Sequence, residues 1–263
     1  MDSEGLQIDG LHAALAALPA GQKPKLVYTV PTFSNPRGTL LPLERRIELV
    51  GLARRHGFVV VEDDPYGELT FTGEAPPSLF ELAADTPDEP NPVAYLSSLS
   101  KTVSPALRIG WLIGQADLVR RCTIAKQTSD LCTSPIAQLV AANYLRSGRY
   151  PETVTTARDE YRRRARAMSE ALRAEIGDGL SFEEPTGGMF LWVDFPGHVD
   201  PKVLFQQAVD KGVLFVPGAA FRPTGRGSVA MRLSFAAPGV DEIREGVSRL
   251  ARAFISATTN TVA

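Results

Sequence analysis

The chain has 263 residues, of which 44% are hydrophobic and 22% are charged, and its formal net charge is −2. These proportions are those of a folded globular protein with one large domain or two smaller ones. The near-neutral charge gives no reason to expect nucleic acid or an anionic membrane as a partner. Because the start of the chain is polar and no apolar run reaches the roughly 20 residues of a membrane span, we expect a cytoplasmic protein.

The two cysteines, Cys122 and Cys132, lack the spacing of zinc ligands and have no histidine pair beside them. The three histidines of the chain are scattered, which favours structural roles for them. We therefore expect small buried cysteines or free thiols in a reducing compartment, with neither a disulfide nor a bound metal.

Apolar runs of strand length alternate with helical patterns through the first half of the chain. A short strand is predicted at 26–30, followed by a helix at 42–56 with proline in its first turn and Gly57 just past its end. Further strands are predicted at 58–61, 93–97 and 108–114. Apolar strands separated by helices indicate an α/β fold with a mostly parallel sheet that is covered on both faces.

The last hundred or so residues have a different pattern. After a long helix at about 151–176, short strands are predicted at 181–182, 190–193, 213–216 and 229–233, with helices near 200–211 and 239–256. This alternation is typical of an α+β domain. We therefore predict a partial large domain at 1–148 and a smaller C-terminal α+β domain at 149–263, which includes the long connecting helix.

Lys101 follows a predicted buried strand, with hydroxyl groups at Ser98 and Ser100 before it and Arg108 after it. Burial favours the uncharged amine of a lysine, which is nucleophilic and forms Schiff bases with carbonyl groups. Two hydroxyl groups and a guanidinium suit a phosphate. A carbonyl and a phosphate on one small molecule indicate pyridoxal phosphate, while a surface lysine in a serine-rich turn is the alternative.

Other polar residues follow the predicted strands, at the edge where parallel sheets bind ligands. Asp63 comes after an apolar strand, and a buried carboxylate needs a cationic partner such as a protonated pyridine nitrogen. Tyr66 and Asn35 offer donors to the phenolic oxygen of the same ring. Asp64 is the alternative partner of the ring nitrogen, and the run from Asp63 to Tyr66 could instead be an ordinary turn.

Four motifs, in this order along the chain, resemble those of the fold-type I, class I/II pyridoxal-phosphate aminotransferases. They are YTVPTFSNPRG at 28–38, VEDDPYG at 61–67, SLSK at 98–101 and MRLSF at 231–235. Within this family the chain resembles the 2-aminoadipate aminotransferase group, which includes the aminotransferase-like half of MocR-type regulators. The resemblance covers essentially the whole chain, and it implies a pyridoxal-phosphate transferase fold and a homodimer.

The resemblance also implies roles for individual residues. Lys101 forms the internal aldimine and later moves a proton between the substrate α-carbon and the cofactor. The remaining cofactor contacts are Asp63 to the pyridine nitrogen, Asn35 and Tyr66 to the phenolic oxygen, and Ser98, Ser100 and Arg108 to the phosphate. Arg232 holds the α-carboxylate of the substrate, beside which Asn35 also lies.

These roles imply an enzyme that moves an amino group between an α-amino acid and a 2-oxo acid. Three alternatives stay open: a non-enzymatic effector domain of a MocR-type regulator, an eliminating or decarboxylating relative, and an inactive fragment. Retention of the α-carboxylate by Arg232 argues against decarboxylation.

Enzymes of the family have a long segment before the point that corresponds to the start of this chain. That segment carries a glycine-rich turn at the phosphate, an aromatic residue that stacks on the ring, and dimer contacts, and nothing between Met1 and Lys25 resembles them. We therefore expect an N-terminally truncated chain whose sheet has an exposed apolar edge, and weak or no cofactor binding by residues 1–263 alone.

Overall fold

The computed structural model describes residues 1–19, 21–85, 89–222 and 229–259. These residues belong to two compact units. The first unit comprises Met1–Ser34 and Thr39–Ala157, and the second comprises Asn35–Gly38 and the chain from Arg158 onward. A four-residue loop of the N-terminal half is therefore part of the second unit.

The helices are α1 (Ile8–Ala16), α2 (Leu43–His56), α3 (Leu79–Ala84), α4 (Ala116–Asp130), α5 (Pro135–Arg146), α6 (Tyr150–Glu175), α7 (Pro201–Asp210) and α8 (Val240–Thr259). The strands are β1 (Leu26–Thr29), β2 (Val59–Asp63), β3 (Val93–Ser98), β4 (Gly110–Ile113), β5 (Phe190–Asp194), β6 (Val216–Pro217) and β7 (Ala230–Ser234). No helix within the described ranges combines the length and the apolar character needed to cross a membrane.

The first unit contains a four-stranded sheet in the order β1–β2–β3–β4. The first three strands are parallel, and β4 returns antiparallel to β3. The apolar stripe of α2, which includes Leu49 and Leu52, packs with Val60 and Val93 of the central strands. The prediction of a mostly parallel sheet is therefore confirmed, and α2 ends as predicted just before Gly57, whose φ is +71°.

The second unit contains a three-stranded antiparallel sheet in the order β5–β7–β6. Leu191 and Val193 of β5 and Met231 of β7 are buried, as are Ile243 and Val247 of α8. The core of this unit is thus formed by alternate residues of the strands and by the apolar face of a helix.

The predicted strand at 213–216 is wrong, because β6 contains only Val216 and Pro217. Val213 donates its backbone N–H to the carbonyl of Ala208 and is therefore part of the turn that ends α7. The next residue, Leu214, is 78% exposed. A short apolar run in a sequence does not by itself distinguish a strand from the turn that follows a helix.

Both outer strands of the four-stranded sheet expose large apolar side chains. Leu26 and Tyr28 are exposed on β1, and Trp111 and Ile113 are exposed on β4. Unpaired outer strands with apolar surface are regions that other protein segments commonly cover.

The Arg46 guanidinium is buried in the first unit, with 1% of the residue exposed. It donates to the carbonyl oxygens of Leu41, Pro31 and Pro77 at 2.8, 3.2 and 3.2 Å, and to the Thr32 hydroxyl at 2.9 Å. A buried charge is tolerated when its hydrogen bonds are made. Arg46 therefore joins the chain after β1 to the start of α2.

Glu62 is the penultimate residue of β2 and is completely buried. Its two carboxylate oxygens accept the backbone N–H groups of Leu79 and Phe80, each at 2.9 Å, and so cap the first turn of α3. Burial raises the pKa of Glu62 from its ordinary value of 4.5 to about 7, and the two backbone donors oppose this rise. Its charge therefore depends on pH near neutrality.

This raised pKa predicts the pH dependence of stability. A carboxyl group with a higher pKa in the folded state stabilises the fold below the unfolded value near 4.5, and this stabilisation is lost as the pH rises towards 7. Between pH 5 and pH 8, the wild-type protein should lose about 1 to 3 kcal/mol of unfolding free energy relative to Glu62→Gln. Urea denaturation of both proteins at each pH measures this difference.

Glu44→Gln is the matched control, because Glu44 is exposed in the first turn of α2. Its difference from wild type should stay constant with pH. A pH-independent difference for Glu62→Gln as well would contradict the assignment.

Candidate functional site

The carboxyl ends of β2 and β3 lie at the same edge of the first sheet. Asp63 is the last residue of β2 and Ser98 the last residue of β3, and the strands are parallel with Asp63 opposite Leu96. This is the edge at which open parallel sheets bind their ligands.

Asp63 is half-buried and faces β1. The Tyr28 hydroxyl donates to Oδ2 of Asp63 at 2.5 Å, and Tyr28 lies opposite Val61, two residues before Asp63 on the same face. Burial, together with the neighbouring Asp63 carboxylate, raises the pKa of Tyr28, so its proton stays in this hydrogen bond. Within the described ranges, no donor reaches Oδ1 of Asp63. That oxygen can accept a hydrogen bond from a ligand.

Asp64 has a different environment. Its Oδ2 accepts from the Tyr95 hydroxyl at 3.1 Å, and burial raises the pKa of Asp64. A raised pKa disfavours the charged form that a pyridinium would need. Asp63 is therefore the better candidate of the two for a cationic ring.

Lys101 lies in a hairpin loop between β3 and β4. Ser98 pairs with Gly110, and the Leu99 N–H donates to the Ile109 carbonyl at 3.1 Å, so the loop is closed at its base. Lys101 is half-buried, and the described residues give its amine neither a hydrogen bond nor an ion pair. The amine is thus available to a ligand.

The same loop carries the residues predicted to bind phosphate. The Ser100 backbone N–H donates to the Ser98 hydroxyl oxygen at 3.2 Å, which brings these two serines together. Arg108 is exposed, with φ of +54°, and donates only a 3.3 Å bond to the Pro105 carbonyl among the described residues. Ser98, Ser100, Lys101 and Arg108 therefore belong to one closed loop.

A cavity of about 480 Å³ opens at this edge of the first unit. Its walls include Ser98, Pro65 and Thr102. Thr102 is 6% exposed, and its hydroxyl has no hydrogen-bond partner in the part of the chain that the structure describes. A buried hydroxyl without a partner is costly. Asp64 and Tyr95 also line this cavity, whereas Lys101 and Asp63 are not among its lining residues.

Tyr66 is also buried in the first unit, three residues after Asp63. It begins a turn in which its carbonyl accepts the Leu69 N–H at 2.8 Å. Among the residues predicted for the cofactor, the first unit therefore contains all except Asn35.

Asn35 and Arg232 lie together in the second unit. Nη1 of Arg232 donates to Oδ1 of Asn35 at 2.6 Å. The Arg232 guanidinium carbon also lies 4.3 Å from the ring centre of Phe190 and 5.1 Å from that of Phe221. Two rings and an amide oxygen thus fix the plane of the guanidinium, as two-point binding of a carboxylate requires.

Sequence reasoning missed several residues around these sites. Arg46 stands on the apolar stripe of α2 with Leu49 and Val50, and Glu62 stands inside an apolar strand, so each position carried a signal of burial. The contact between Tyr28 and Asp63 had no such signal, because it depends on the register of β1 against β2.

Comparison with known proteins assigns the family. Residues 1–250 match the family model of aminotransferase class I and II. The chain therefore belongs to the class I and II aminotransferases, as the sequence motifs predicted.

The relatives include enzymes and a regulator. The aromatic-amino-acid aminotransferase 1 of Thermococcus litoralis is 39% identical over 252 residues, which are 95% of this chain and 59% of the relative. An uncharacterized HTH-type transcriptional regulator of Bacillus subtilis is 34% identical over 239 residues, 91% of this chain and 48% of the regulator.

A solved structure gives the same result for the fold. The alpha-aminoadipate aminotransferase of Thermus thermophilus, complexed with N-(5'-phosphopyridoxyl)-L-leucine, matches with a TM-score of 0.92 and 37% identity. The match covers 98% of this chain and 65% of that one. The α/β fold predicted from the sequence is therefore confirmed, and the chain spans about six tenths of the length of the aminotransferases it matches.

The hydrogen bond between Tyr28 and Asp63 can be tested by a double-mutant cycle. Because Tyr28 is more than half exposed, we expect Tyr28→Phe to cost about 1 kcal/mol of unfolding free energy. In an Asp63→Asn background the same change should cost clearly less. Urea denaturation of the four proteins measures the coupling, and equal costs in both backgrounds would contradict the contact.

Proposed function

We propose that this protein is a pyridoxal-phosphate-dependent aminotransferase that moves an amino group between an α-amino acid and a 2-oxo acid. The observation that carries the proposal is the Lys101 amine, which is half-buried in one closed loop with Ser98, Ser100 and Arg108. Membership of the family supports it, as does the phosphopyridoxyl ligand of the Thermus thermophilus relative.

The residues of the first unit fit this cofactor. Bound pyridoxal phosphate supplies a carbonyl carbon for amine attack and a ring that withdraws electrons from the substrate α-carbon. Oδ1 of Asp63 would accept the hydrogen bond of a protonated ring nitrogen, while Tyr28 holds the other carboxylate oxygen. Ser98, Ser100 and Arg108 would bind the phosphate through hydroxyl and guanidinium donors. Tyr66 would donate to the phenolic oxygen, and the family resemblance implies the same role for the amide of Asn35, which belongs to the second unit.

Lys101 has two tasks in this proposal. Its Nζ would hold the carbonyl carbon of the cofactor before the substrate binds, and the same nitrogen would then carry the proton from the substrate α-carbon to the cofactor. Both tasks need an amine without an ion-pair partner, which is how Lys101 stands among the described residues.

Arg232 binds the α-carboxylate of the substrate in the second unit. The rings of Phe190 and Phe221 hold its guanidinium in one plane, and Asn35 receives one of its N–H groups. A planar guanidinium presents two parallel N–H donors to a carboxylate. This retention of the carboxylate favours amino transfer over decarboxylation.

We also propose that the protein works in the cytoplasm as a homodimer. Both cysteines are free and exposed, as expected for a reducing compartment. The exposed apolar side chains of β1 and β4 and those of α5, such as Ile136 and Leu139, are surface that a second subunit can cover.

The second candidate function is that of a cofactor-binding effector domain in a transcription regulator. The match to the Bacillus subtilis regulator favours it. The two functions differ in turnover, because only the enzyme releases a 2-oxo acid when an amino acid is added.

The experiment uses the longest protein product that contains this sequence, with added pyridoxal phosphate. We expect a visible absorbance band, which an amino acid bleaches as a 2-oxo acid is released. Lys101→Ala should abolish the band and reduce transfer by at least about 100-fold.

Lys126→Ala is the matched control, since Lys126 is exposed on α4 and paired with Asp130. It should keep both the band and the transfer. A band that survives Lys101→Ala would refute the role of Lys101, and a bleachable band without oxo acid release would favour the regulator.

A further inference from the structure

Two consecutive carboxylates at the end of β2 each accept a tyrosine hydroxyl from a neighbouring strand. The Tyr28 hydroxyl of β1 donates to Oδ2 of Asp63 at 2.5 Å, and the Tyr95 hydroxyl of β3 donates to Oδ2 of Asp64 at 3.1 Å. The strand register places the two tyrosines on opposite faces of the sheet. The first unit therefore contains two tyrosine–aspartate pairs of the same chemistry, one on each face.

The second oxygen of each carboxylate has a different environment. Oδ1 of Asp64 is buried without a partner among the described residues. The same carboxylate lies against the backbone of Gly67, where a Cβ atom would be 2.4 Å from Oδ2. Asp63 is half-buried, and within the described ranges no donor reaches its Oδ1. Asp63 is therefore the member of the two that can offer an oxygen to a ligand.

The Tyr28 hydroxyl is a rigid donor to the other oxygen of Asp63. Burial, together with the neighbouring Asp63 carboxylate, raises the pKa of Tyr28, so the hydroxyl keeps its proton and donates it. The hydroxyl stands at the end of a planar ring with only two side-chain torsions. A carboxylate, by contrast, rotates over a broad range about its terminal bond. A hydrogen bond from the ring to Oδ2 therefore fixes the plane of the carboxylate and the direction of Oδ1.

We propose that Tyr28 is a positioning residue for the cofactor: by holding Oδ2 of Asp63, it directs Oδ1 towards the ring nitrogen of pyridoxal phosphate. This inference rests on the proposed function, in which Asp63 would accept the hydrogen bond of that nitrogen. Tyr28 acts through Asp63 alone. Removal of its hydroxyl should therefore weaken the interaction with the ring nitrogen and leave the contacts to the phosphate unchanged.

The test measures the binding of two compounds to the longest protein product that contains this sequence. They are pyridoxal phosphate and its 1-deaza analogue, in which a C–H group replaces the ring nitrogen. In Tyr28→Phe, Kd for pyridoxal phosphate should rise about 5- to 20-fold, because a charge-assisted hydrogen bond loses its alignment. Kd for the analogue should stay within about twofold, because the analogue offers Asp63 no such donor.

Tyr95→Phe is the matched control, since it removes the same hydroxyl group from the pair at Asp64. It should change neither dissociation constant by more than about twofold. The path of the effect is tested in an Asp63→Asn background. There, Tyr28→Phe should raise Kd for pyridoxal phosphate by no more than about twofold, because the carboxylate through which it acts is gone.

The readout is affinity and not turnover, so the two proposals fail in different ways. If wild type binds pyridoxal phosphate but transfers no amino group, the proposed function fails, and the affinities still decide the role of Tyr28. Equal losses for the two compounds in Tyr28→Phe would overturn the inference and make Tyr28 a support of the sheet edge. An unchanged Kd for pyridoxal phosphate in this variant would also overturn it, and a wild type that binds neither compound would overturn both proposals.

Discussion

The buried guanidinium of Arg46 is the interaction on which the organisation of the first unit depends. It donates to Pro31 and Thr32 after β1 and to Leu41 before α2, and it has no direct carboxylate partner among the described residues. A charge in this position is stable only while all of those oxygen atoms stay in place. Arg46, a buried residue of α2, therefore determines the path of the chain after β1.

Three consecutive carboxyl groups at the end of β2 have different environments. Glu62 and Asp64 are turned towards polar groups of the first unit, the amides of α3 and the Tyr95 hydroxyl, and burial raises the pKa of each. Asp63 faces Tyr28 and keeps Oδ1 for a ligand, whereas Oδ1 of Asp64 is buried without a partner among the described residues. Alternation of side chains along a strand produces this division, because neighbours point to opposite faces.

The sequence was sufficient to predict the mostly parallel sheet and the place of Lys101, because valine-rich runs and a lysine directly after one are local patterns. It was not sufficient for the hydrogen bond from Arg232 to Asn35, which joins residues far apart in the chain. The strand predicted at 213–216 was wrong for the same reason, because an apolar run does not specify which hydrogen bonds its backbone makes. Long-range register and burial of charge depend on the whole fold.

The central claim is that Lys101 is the lysine that bonds to pyridoxal phosphate. Borohydride reduction of the protein with bound cofactor makes that carbon–nitrogen bond permanent, and peptide mapping by mass spectrometry then locates it. The account predicts the phosphopyridoxyl group on the peptide that contains Lys101, at close to one group per chain. Modification spread over exposed lysines such as Lys126, with Lys101 unmodified, would contradict it.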